Sequence, residues 1–387
     1  MKKKSKNLIG KSIGNTNLTE KHESNEQIIR VLLCSYTGLG NFILKTPMIK
    51  KIISLYPNAK IDLIGGGPDR AEFALKDEHF IGKVHKFDRN WGLIKKIKFY
   101  LGLKKYKYKY VFVPFDDESR FMFLGAIISG ASKIFSHIIV GRGKTDILKL
   151  VLSKFITRLH LVPYLQSRHE IDLNYDLLQA SINRPLKRNY QTYCKFSHEQ
   201  DTLGLFSLKK DRYVVIQPGA RSGKPTPKRW SIANFVNLIK IMSVKYPKIK
   251  IVAIGNKFDN DQYIKPLIID CPDIINTAGS TTIEQVADIM RFAIVNIVHD
   301  SGALHIGGAV NAKMIALYGP TDYTRTKPLN SSSAILFSKN KSFAEMYNMN
   351  ISEDELIEKY GEDFCMDSIL PEDVINVMEN FINHNQA

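Results

Sequence analysis

The chain has 387 residues, of which 44% are hydrophobic and 24% are charged, and its formal net charge is +17 at pH 7. This length favours two domains, each large enough for its own core. The positive charge favours anionic partners: phosphorylated substrates, an acidic membrane surface or nucleic acid. Because no nucleic-acid-binding motif accompanies the charge, we do not expect a nucleic-acid partner.

The N-terminal residues and the cysteines predict the cellular compartment of the protein. Its four cysteines lie far apart without a C-x-x-C pair, so neither a disulfide framework nor a cysteine metal site is expected. Residues 1–27 are polar and predict a disordered basic arm without the apolar core of a signal peptide. We therefore expect a cytoplasmic protein, soluble or peripheral on the inner face of the cytoplasmic membrane.

Alternating strand and helix signals begin at Ile28. Residues 28–35 predict a strand, residues 36–42 a glycine-rich turn, and the residues after them a helix. The pattern then continues with strands at 60–64, 110–115 and 135–140, an acidic turn at 116–118, a helix at 121–129, and a helical region to about residue 180.

The same alternation restarts after a polar stretch at about residues 186–212, which predicts a domain boundary there. The predicted elements are strands at 213–217, 249–254, 293–298 and 314–318, a helix from Ser231, a capping box at Thr281–Glu284 and a last helix at 371–382. Residues 320 to about 360 are polar and predict no further strand.

Both halves therefore predict doubly wound α/β domains, with bounds of 28–195 and 205–365 and a terminal helix at 370–384. Such sheets bind ligands outside the carboxyl ends of their strands. Polar turns follow predicted strands at residues 36–42, 116–118, 218–223, 255–259 and 299–302. We expect these turns to line one cleft between the two domains.

Residues 298–309, VHDSGALHIGGA, lie between two apolar runs and predict a turn followed by a helix. Asp300 or Ser301 is expected to cap that helix by accepting a backbone N–H bond. The start of a helix has free N–H groups and a partial positive charge, which suit a phosphate. Two interpretations stay open: an anion site for a nucleotide diphosphate, or a capped helix that packs closely.

Four segments, in this order, resemble glycosyltransferase family 9, the ADP-heptose:lipopolysaccharide heptosyltransferases and their relatives. They are residues 38–47 (GLGNFILKTP), 218–220 (PGA) with 228–230 (KRW), 278–285 (AGSTTIEQ), and 300–305 (DSGALH) with 318–322 (YGPTD). The resemblance covers about residues 28–384 and implies a GT-B fold, with two Rossmann-like domains and the active site in the cleft between them. It also implies inverting sugar transfer without a metal. The donor would lie on the C-terminal domain and the acceptor on the N-terminal domain, onto which the terminal helix would pack back.

The resemblance indicates how the donor diphosphate would be held. The backbone N–H groups of Ser301, Gly302 and Ala303, the hydroxyl of Ser301 and the ring of His305 would stabilise the departing charge. Asp300 would bind sugar hydroxyls, because an ionised carboxylate only accepts hydrogen bonds.

Further cleft residues are expected to complete the donor site. Lys228 takes the place of the family lysine that contacts the phosphates, although Lys224 and Arg229 lie nearby. Arg221 and Ser222 are also expected to touch phosphate, and Asp259 to bind the ribose hydroxyls. Asp259 and Asp261 also spell the D-x-D of metal-dependent transferases, an interpretation that the other segments disfavour.

The general base is open. The family usually has aspartate in the first glycine-rich turn, where this chain has Asn41 between the acceptor-side residues Gly38 and Gly40 and the helix. An amide cannot take up the acceptor proton. Three interpretations therefore stay open. The base could come from elsewhere, with Asp116 or Asp117 as candidates, or the protein could act on a different acceptor. The third interpretation is a catalytically impaired sugar-nucleotide-binding protein.

The expected function is transfer of a sugar, heptose first, from a nucleotide-diphosphate donor such as ADP-heptose to a cell-envelope glycan such as lipopolysaccharide core. No cofactor is expected beyond this co-substrate, and the acceptor is expected to be a phosphorylated glycolipid or glycan. Residues 91–110 contain seven lysines interleaved with aromatic residues and are a candidate contact for an anionic membrane. A sugar-nucleotide epimerase of the same fold is the alternative enzyme.

Overall fold

The structure is a computed structural model. It describes residues 28–36, 38–65, 74–75, 78–117, 119–140, 151–163, 168–195, 201–220, 223–329, 332–348 and 351–384. The predicted basic arm, Arg221 and Ser222 lie outside the described residues.

The N-terminal half contains a six-stranded parallel sheet in the order β3-β2-β1-β4-β5-β6. Its strands are β1 Arg30–Cys34, β2 Lys60–Gly65, β3 Ile81–Lys86, β4 Tyr110–Val113, β5 Lys133–Val140 and β6 Arg158–Pro163. Its helices are α1 Leu39–Leu55, α2 Leu93–Leu103, α3 Arg120–Ile128 and α4 Glu170–Ile182, with short 3-10 turns at Lys104–Tyr106 and Phe115–Asp117.

The C-terminal half repeats this plan with the strand order β12-β11-β10-β7-β8-β9, again all parallel. Its strands are β7 Tyr213–Ile216, β8 Lys250–Ala253, β9 Ile275–Asn276, β10 Asn296–His299, β11 Met314–Tyr318 and β12 Ser333–Phe337. Its helices are α5 Thr202–Leu205, α6 Ile232–Lys245, α7 Lys257–Asp259, α8 Lys265–Asp270 (after a π turn at Asn260–Ile264), α9 Ile283–Arg291, α10 Gly302–Ala309, α11 Tyr323–Thr326, α12 Glu345–Asn348, α13 Glu353–Tyr360 and α14 Pro371–His384.

The central strands of both sheets are buried along their whole length, as in β4, β7, β10 and β11. Continuous apolar runs of this kind are typical of parallel sheets with helices on both faces. The two Rossmann-like halves share one hydrophobic cluster, which includes Phe42 of α1 and Leu304 of α10. The predicted fold class, two α/β domains of GT-B type, is confirmed.

Helix α1 replaces most of the predicted glycine-rich turn, because the helix already begins at Leu39. Pro47 lies inside it and cannot donate to the carbonyl of Ile43. The hydroxyl of Thr46 donates to that carbonyl instead, at 2.7 Å, and the helix continues to Leu55. Asn41 and Lys45 therefore lie one turn apart on the same helix.

Two predicted segments were wrong because edge strands carry weak signals. The region expected to be helical up to residue 180 contains β6, in which Arg158 and His160 interrupt the apolar residues. The polar region after Pro320 contains β12, a half-buried strand at the edge of the second sheet. Polar residues are common in edge strands, and the sequence pattern then resembles that of a loop.

Two details at helix ends also differ from prediction. The capping box lies one residue later than expected, with Thr282 and Gln285 bonding each other's backbone N–H groups at 3.3 and 2.9 Å. The terminal helix α14 packs on α6, β11 and β12 rather than on the N-terminal domain. Its apolar stripe, including Val374 and Met378, belongs to the C-terminal core.

Across the described ranges, no helix is both long and apolar enough to cross a membrane.

Candidate active site

A cleft of about 830 Å³ separates the two sheets at the carboxyl ends of their strands. The turns after β1, β7, β8 and β10 all contribute to it, as the sequence predicts. Asp116, which follows β4, is not among the residues that line it. The lining includes Tyr36, Gly38, Gly40, Asn41, Arg89, Glu170, Gln217, Ala220, Lys228, Gly255, Asn256, Asp259, Asp300, Ser301, Gly302, Ala303, His305 and Thr326.

Helix α10 points its N-terminus into this cleft without a side-chain cap. Ser301 occupies the N-cap position, but its hydroxyl donates to the Gln217 side-chain oxygen at 2.9 Å. The predicted capping by Asp300 or Ser301 is therefore wrong. Because the side chain at the N-cap of α10 accepts no hydrogen bond from the first turn in the described structure, the positive end of this helix is open to an anion. A β-carbon at Gly302 would meet no atom within 4 Å, so the cleft is open at this residue.

Asp300 is buried at the cleft floor and remains ionised. Burial alone would raise its pKa, but Lys228 and His305 and the hydroxyls of Thr321 and Thr326 outweigh burial and hold the pKa below its usual value. Thr326 Oγ1 donates to Asp300 Oδ1 at 3.2 Å, and Lys228 Nζ lies 3.6 Å from Oδ2. Asp300 thus holds the Lys228 ammonium beside the N-terminus of α10.

The structure distinguishes among the three basic residues that the sequence offered as contacts for the donor phosphates. Lys228 lines the cleft, with its side chain 19% exposed. Lys224 instead forms an exposed ion pair with Asp354 at 2.6 Å. Arg229 is buried and pairs with Glu362 and Asp363 at 2.9 and 2.7 Å. Of the three, Lys228 is the one placed to meet an anion in the cleft.

Asp259 lies under the turns after β7 and β8. Its Oδ2 accepts the Asn256 N–H at 3.0 Å, which completes the cap of α7. Its Oδ1 is buried without a hydrogen-bond partner in the described part of the chain. Burial raises the pKa of Asp259 to about 6. Asp259 lines the cleft, and its Oδ1 packs closely against Gly219 in the turn after β7.

His305 joins the two halves where α1 meets α10. A β-carbon on Gly40 would overlap its imidazole ring, so glycine is needed there for close packing. Burial lowers the pKa of His305 to about 4, with Asp300 acting in the opposite direction. At neutral pH His305 is therefore uncharged and offers an anion a hydrogen bond rather than a positive charge.

His299, at the end of β10, was not predicted as a site residue. Its Nε2 accepts the Trp230 N–H at 2.9 Å, and its Nδ1 lies 3.0 Å from the Gly219 carbonyl oxygen. These partners fix the neutral tautomer with the proton on Nδ1. Burial lowers the pKa of His299 to about 4. It fixes the loop before Lys228, and the Trp230 side chain is fully buried in the core of the C-terminal half.

Behind Asn41, α1 carries a buried lysine. Lys45 is fully buried, and its Nζ pairs with Asp116 Oδ2 at 2.5 Å. Asp116 is thus engaged by a lysine outside the cleft lining, which weakens its candidacy as the base. Asp117 follows in the same 3-10 turn.

Glu170, like Glu353, is an acidic residue of the cleft lining that the prediction missed. It is the first residue of α4 and only 7% exposed, yet it lines the cavity with Asn41 and Asp300. Burial and then the nearby Asp116 raise the pKa of Glu170 to about 7, against Arg325 and Lys45. In the sequence, an acid in the first turn of a helix is typical of a helix-dipole partner, so only the fold reveals that it faces a cleft.

Comparison with known proteins places this architecture in a family. The family model described as glycosyltransferase family 9 (heptosyltransferase) matches residues 142–354, more than half of the chain. The chain belongs to glycosyltransferase family 9. Among curated relatives of this family 9 chain, lipopolysaccharide heptosyltransferase 3 of Escherichia coli K12 is 26% identical over 75% of this chain and 82% of its own length. Lipooligosaccharide heptosyltransferase 2 of Haemophilus influenzae is 21% identical over 80% and 88%.

Solved structures of family 9 have the same fold. A family 9 glycosyl transferase from Veillonella parvula superposes with a TM-score of 0.72 at 18% identity, covering 92% of this chain and 98% of that one. E. coli ADP-heptose lps heptosyltransferase II gives 0.69 at 17% identity, covering 93% and 100%. At these identities the likeness establishes the GT-B fold, and this chain is a glycosyltransferase by its family.

Proposed function

We propose that this glycosyltransferase moves heptose, with inversion, from ADP-heptose to a glycan of the cell envelope such as lipopolysaccharide core. The observation that carries the proposal is the uncapped N-terminus of α10 beside Lys228, which together offer an anion N–H groups and an ammonium. A leaving diphosphate develops negative charge as the glycosidic bond breaks, and fixed donors stabilise that charge. The names of the curated relatives support heptose as the sugar.

The two halves would divide the substrates between them. Residues 205–365 would bind the nucleotide sugar, with Ser301, Gly302, Ala303 and His305 at the diphosphate and Asp259 at the ribose. Asp300 would accept hydrogen bonds from sugar hydroxyls. Residues 28–195 would bind the acceptor near Gly38, Gly40 and Asn41. Arg221 and Ser222, which follow Ala220 in the sequence, remain proposed phosphate contacts.

Transfer would need no metal, because Lys228 and the end of α10 supply the positive charge that a cation otherwise provides. The nucleotide sugar would be the co-substrate, and no further cofactor is proposed. Activity is expected to survive dialysis against a chelator. Loss of activity that Mg²⁺, Mn²⁺ or iron restores would contradict this part of the proposal.

A thermal-shift screen against ADP-, UDP-, GDP- and CMP-sugars tests the donor. A ligand that binds only the folded state at about 100 times its Kd stabilises it by roughly 2.7 kcal/mol. We expect ADP-heptose to raise the melting temperature and the other three classes to leave it unchanged. If a sugar of a different nucleotide class stabilises the protein, that class is the donor instead of ADP-heptose. If none of the four classes stabilises it, the result favours a protein that has lost its activity.

A basic apolar patch, formed by residues 92–107, supports peripheral contact with an anionic bilayer. Leu93, Ile94 and Leu101 of α2 are 57%, 73% and 47% exposed. Exposed lysines surround them at positions 95, 98, 104, 105 and 107. In such contacts, apolar side chains insert into the bilayer, and neighbouring lysines attract the anionic lipids. Arg89, three residues before the patch, lines the cleft, so a docked protein would hold the cleft near a membrane-anchored acceptor.

Sedimentation with phosphatidylglycerol vesicles tests the patch. Ile94→Glu is expected to weaken vesicle binding about tenfold, because it removes apolar insertion and adds repulsion. Val244→Glu on α6 is the matched control, since Val244 is 83% exposed on the other half. Equal losses in both variants would argue against a docking role for α2.

A further inference from the structure

We propose that Glu170 is the general base that takes the proton from the acceptor hydroxyl. This inference rests on the proposed function and supplies the residue that Asn41 cannot provide. Glu170 belongs to the half expected to hold the acceptor, and it lines the same cleft as Asn41 and the donor-side residues Asp300, Ser301 and Lys228.

The Glu170 carboxylate is free to act. Within the described part of the chain, no group donates a hydrogen bond to it or lies within ion-pair distance. Two cations, Arg325 and Lys45, favour its ionised form, and Lys45 is engaged by Asp116. A buried carboxylate that served only structure would be expected to have such partners. A carboxylate that must accept a proton from substrate needs its oxygens open to the cleft.

The charges around Glu170 set its basicity. Burial, Asp116 and Asp300 disfavour its ionised form, whereas Arg325 and Lys45 favour it. The balance places its pKa near neutral pH, where a general base is both ionised and able to hold a proton. Asp116 thus has an indirect role: it neutralises Lys45 and prevents that lysine from making Glu170 a weak base.

The helix that carries Glu170 is anchored across the cleft. His169 caps α4 through Nδ1, which accepts the Ile171 N–H at 3.2 Å. Its Nε2 lies 2.9 Å from the Lys327 carbonyl oxygen of the other half, so Nε2 carries the proton and donates. This bridge holds Glu170 at the junction between the two halves. His169 is therefore a positioning residue.

The proposed step is balanced. The acceptor O–H proton passes to Glu170, and the acceptor oxygen bonds to the anomeric carbon of heptose. The bond between that carbon and the diphosphate oxygen breaks, and its electron pair leaves with ADP. Glu170 then returns the proton to solvent.

The test is the pH dependence of kcat in the wild type and two variants. Glu170→Gln is expected to lower kcat by about 10²- to 10⁴-fold and to abolish the fall in rate on the acid side. Asp116→Asn, which removes a like charge, is expected to remain active with that fall displaced to lower pH. Affinity for ADP, measured by calorimetry, should stay within about threefold in Glu170→Gln, which separates lost chemistry from lost folding.

Glu78→Gln is the matched control. Glu78 is also a buried glutamate, but Lys50 and Tyr193 bind it outside the cleft lining. Its variant should keep the wild-type pH profile. If the wild type transfers heptose and Glu170→Gln keeps the wild-type kcat, the assignment of Glu170 as the base is overturned and the proposed function still stands. A wild type that transfers no sugar would overturn both.

Discussion

Lys228→Ala is expected to lower kcat about 10²- to 10³-fold, the usual effect of removing one fixed donor from a developing charge. Lys228 is the described basic residue that the structure brings beside Asp300 and the open end of α10. Its loss would also remove a charge that holds the pKa of Asp300 down. The measurement is steady-state transfer from ADP-heptose with both substrates varied. Lys228→Arg, which keeps a positive charge, should recover part of the activity.

Lys224→Ala is the control for this variant, because Lys224 lies four residues earlier and is paired with Asp354 at the surface. It should retain wild-type kcat. The opposite order, with Lys224→Ala impaired and Lys228→Ala active, would move the diphosphate contact to the other lysine and refute the assignment.

Asp116→Ala is expected to lower the free energy of unfolding by roughly 3–5 kcal/mol, the cost of removing one partner of a buried ion pair. The Lys45 ammonium is fully buried, and the Asp116 side chain is only 10% exposed. Because the Lys45 ammonium is buried, water cannot solvate its charge once the Asp116 carboxylate is removed. Equilibrium unfolding in urea, followed by circular dichroism, measures the loss.

Asp354→Ala provides the matched comparison, because it removes a Lys–Asp pair of similar length at the surface. With side chains 38% and 71% exposed, that pair should contribute only about 0.2–1 kcal/mol. Equal losses of unfolding free energy from the two substitutions would mean that burial does not set the contribution of the Lys45–Asp116 pair to stability.

The sequence predicts the framework well where burial imposes a strong pattern. The apolar runs of β7, β10 and β11 and the polar turns after them follow directly from parallel strands covered by helices. That pattern located Ser301, Gly302 and Ala303 at the cleft. It failed at β6 and β12, because edge strands need fewer apolar residues.

The candidate site was harder to predict where its chemistry depends on distant residues. Neither Glu170 nor Lys45 carries a local signal: each is an ordinary polar residue on a helix until the fold brings them near each other and Asp116. The capping expected of Ser301 failed for a similar reason, since its hydroxyl partner, Gln217, lies 84 residues away. Local sequence identifies groups that can react, whereas the contacts that orient them arise only from tertiary structure.

Acceptor-dependent release of ADP from ADP-heptose tests the central claim most directly. The wild-type protein is incubated with ADP-heptose, with and without lipopolysaccharide core, and both ADP and the modified glycan are measured. The account predicts that ADP appears only with the glycan, in a one-to-one ratio with heptose added to it. Equal release without the glycan would indicate an epimerase or hydrolase, and ADP-heptose binding without release would indicate an inactive binding protein; either result would contradict the account.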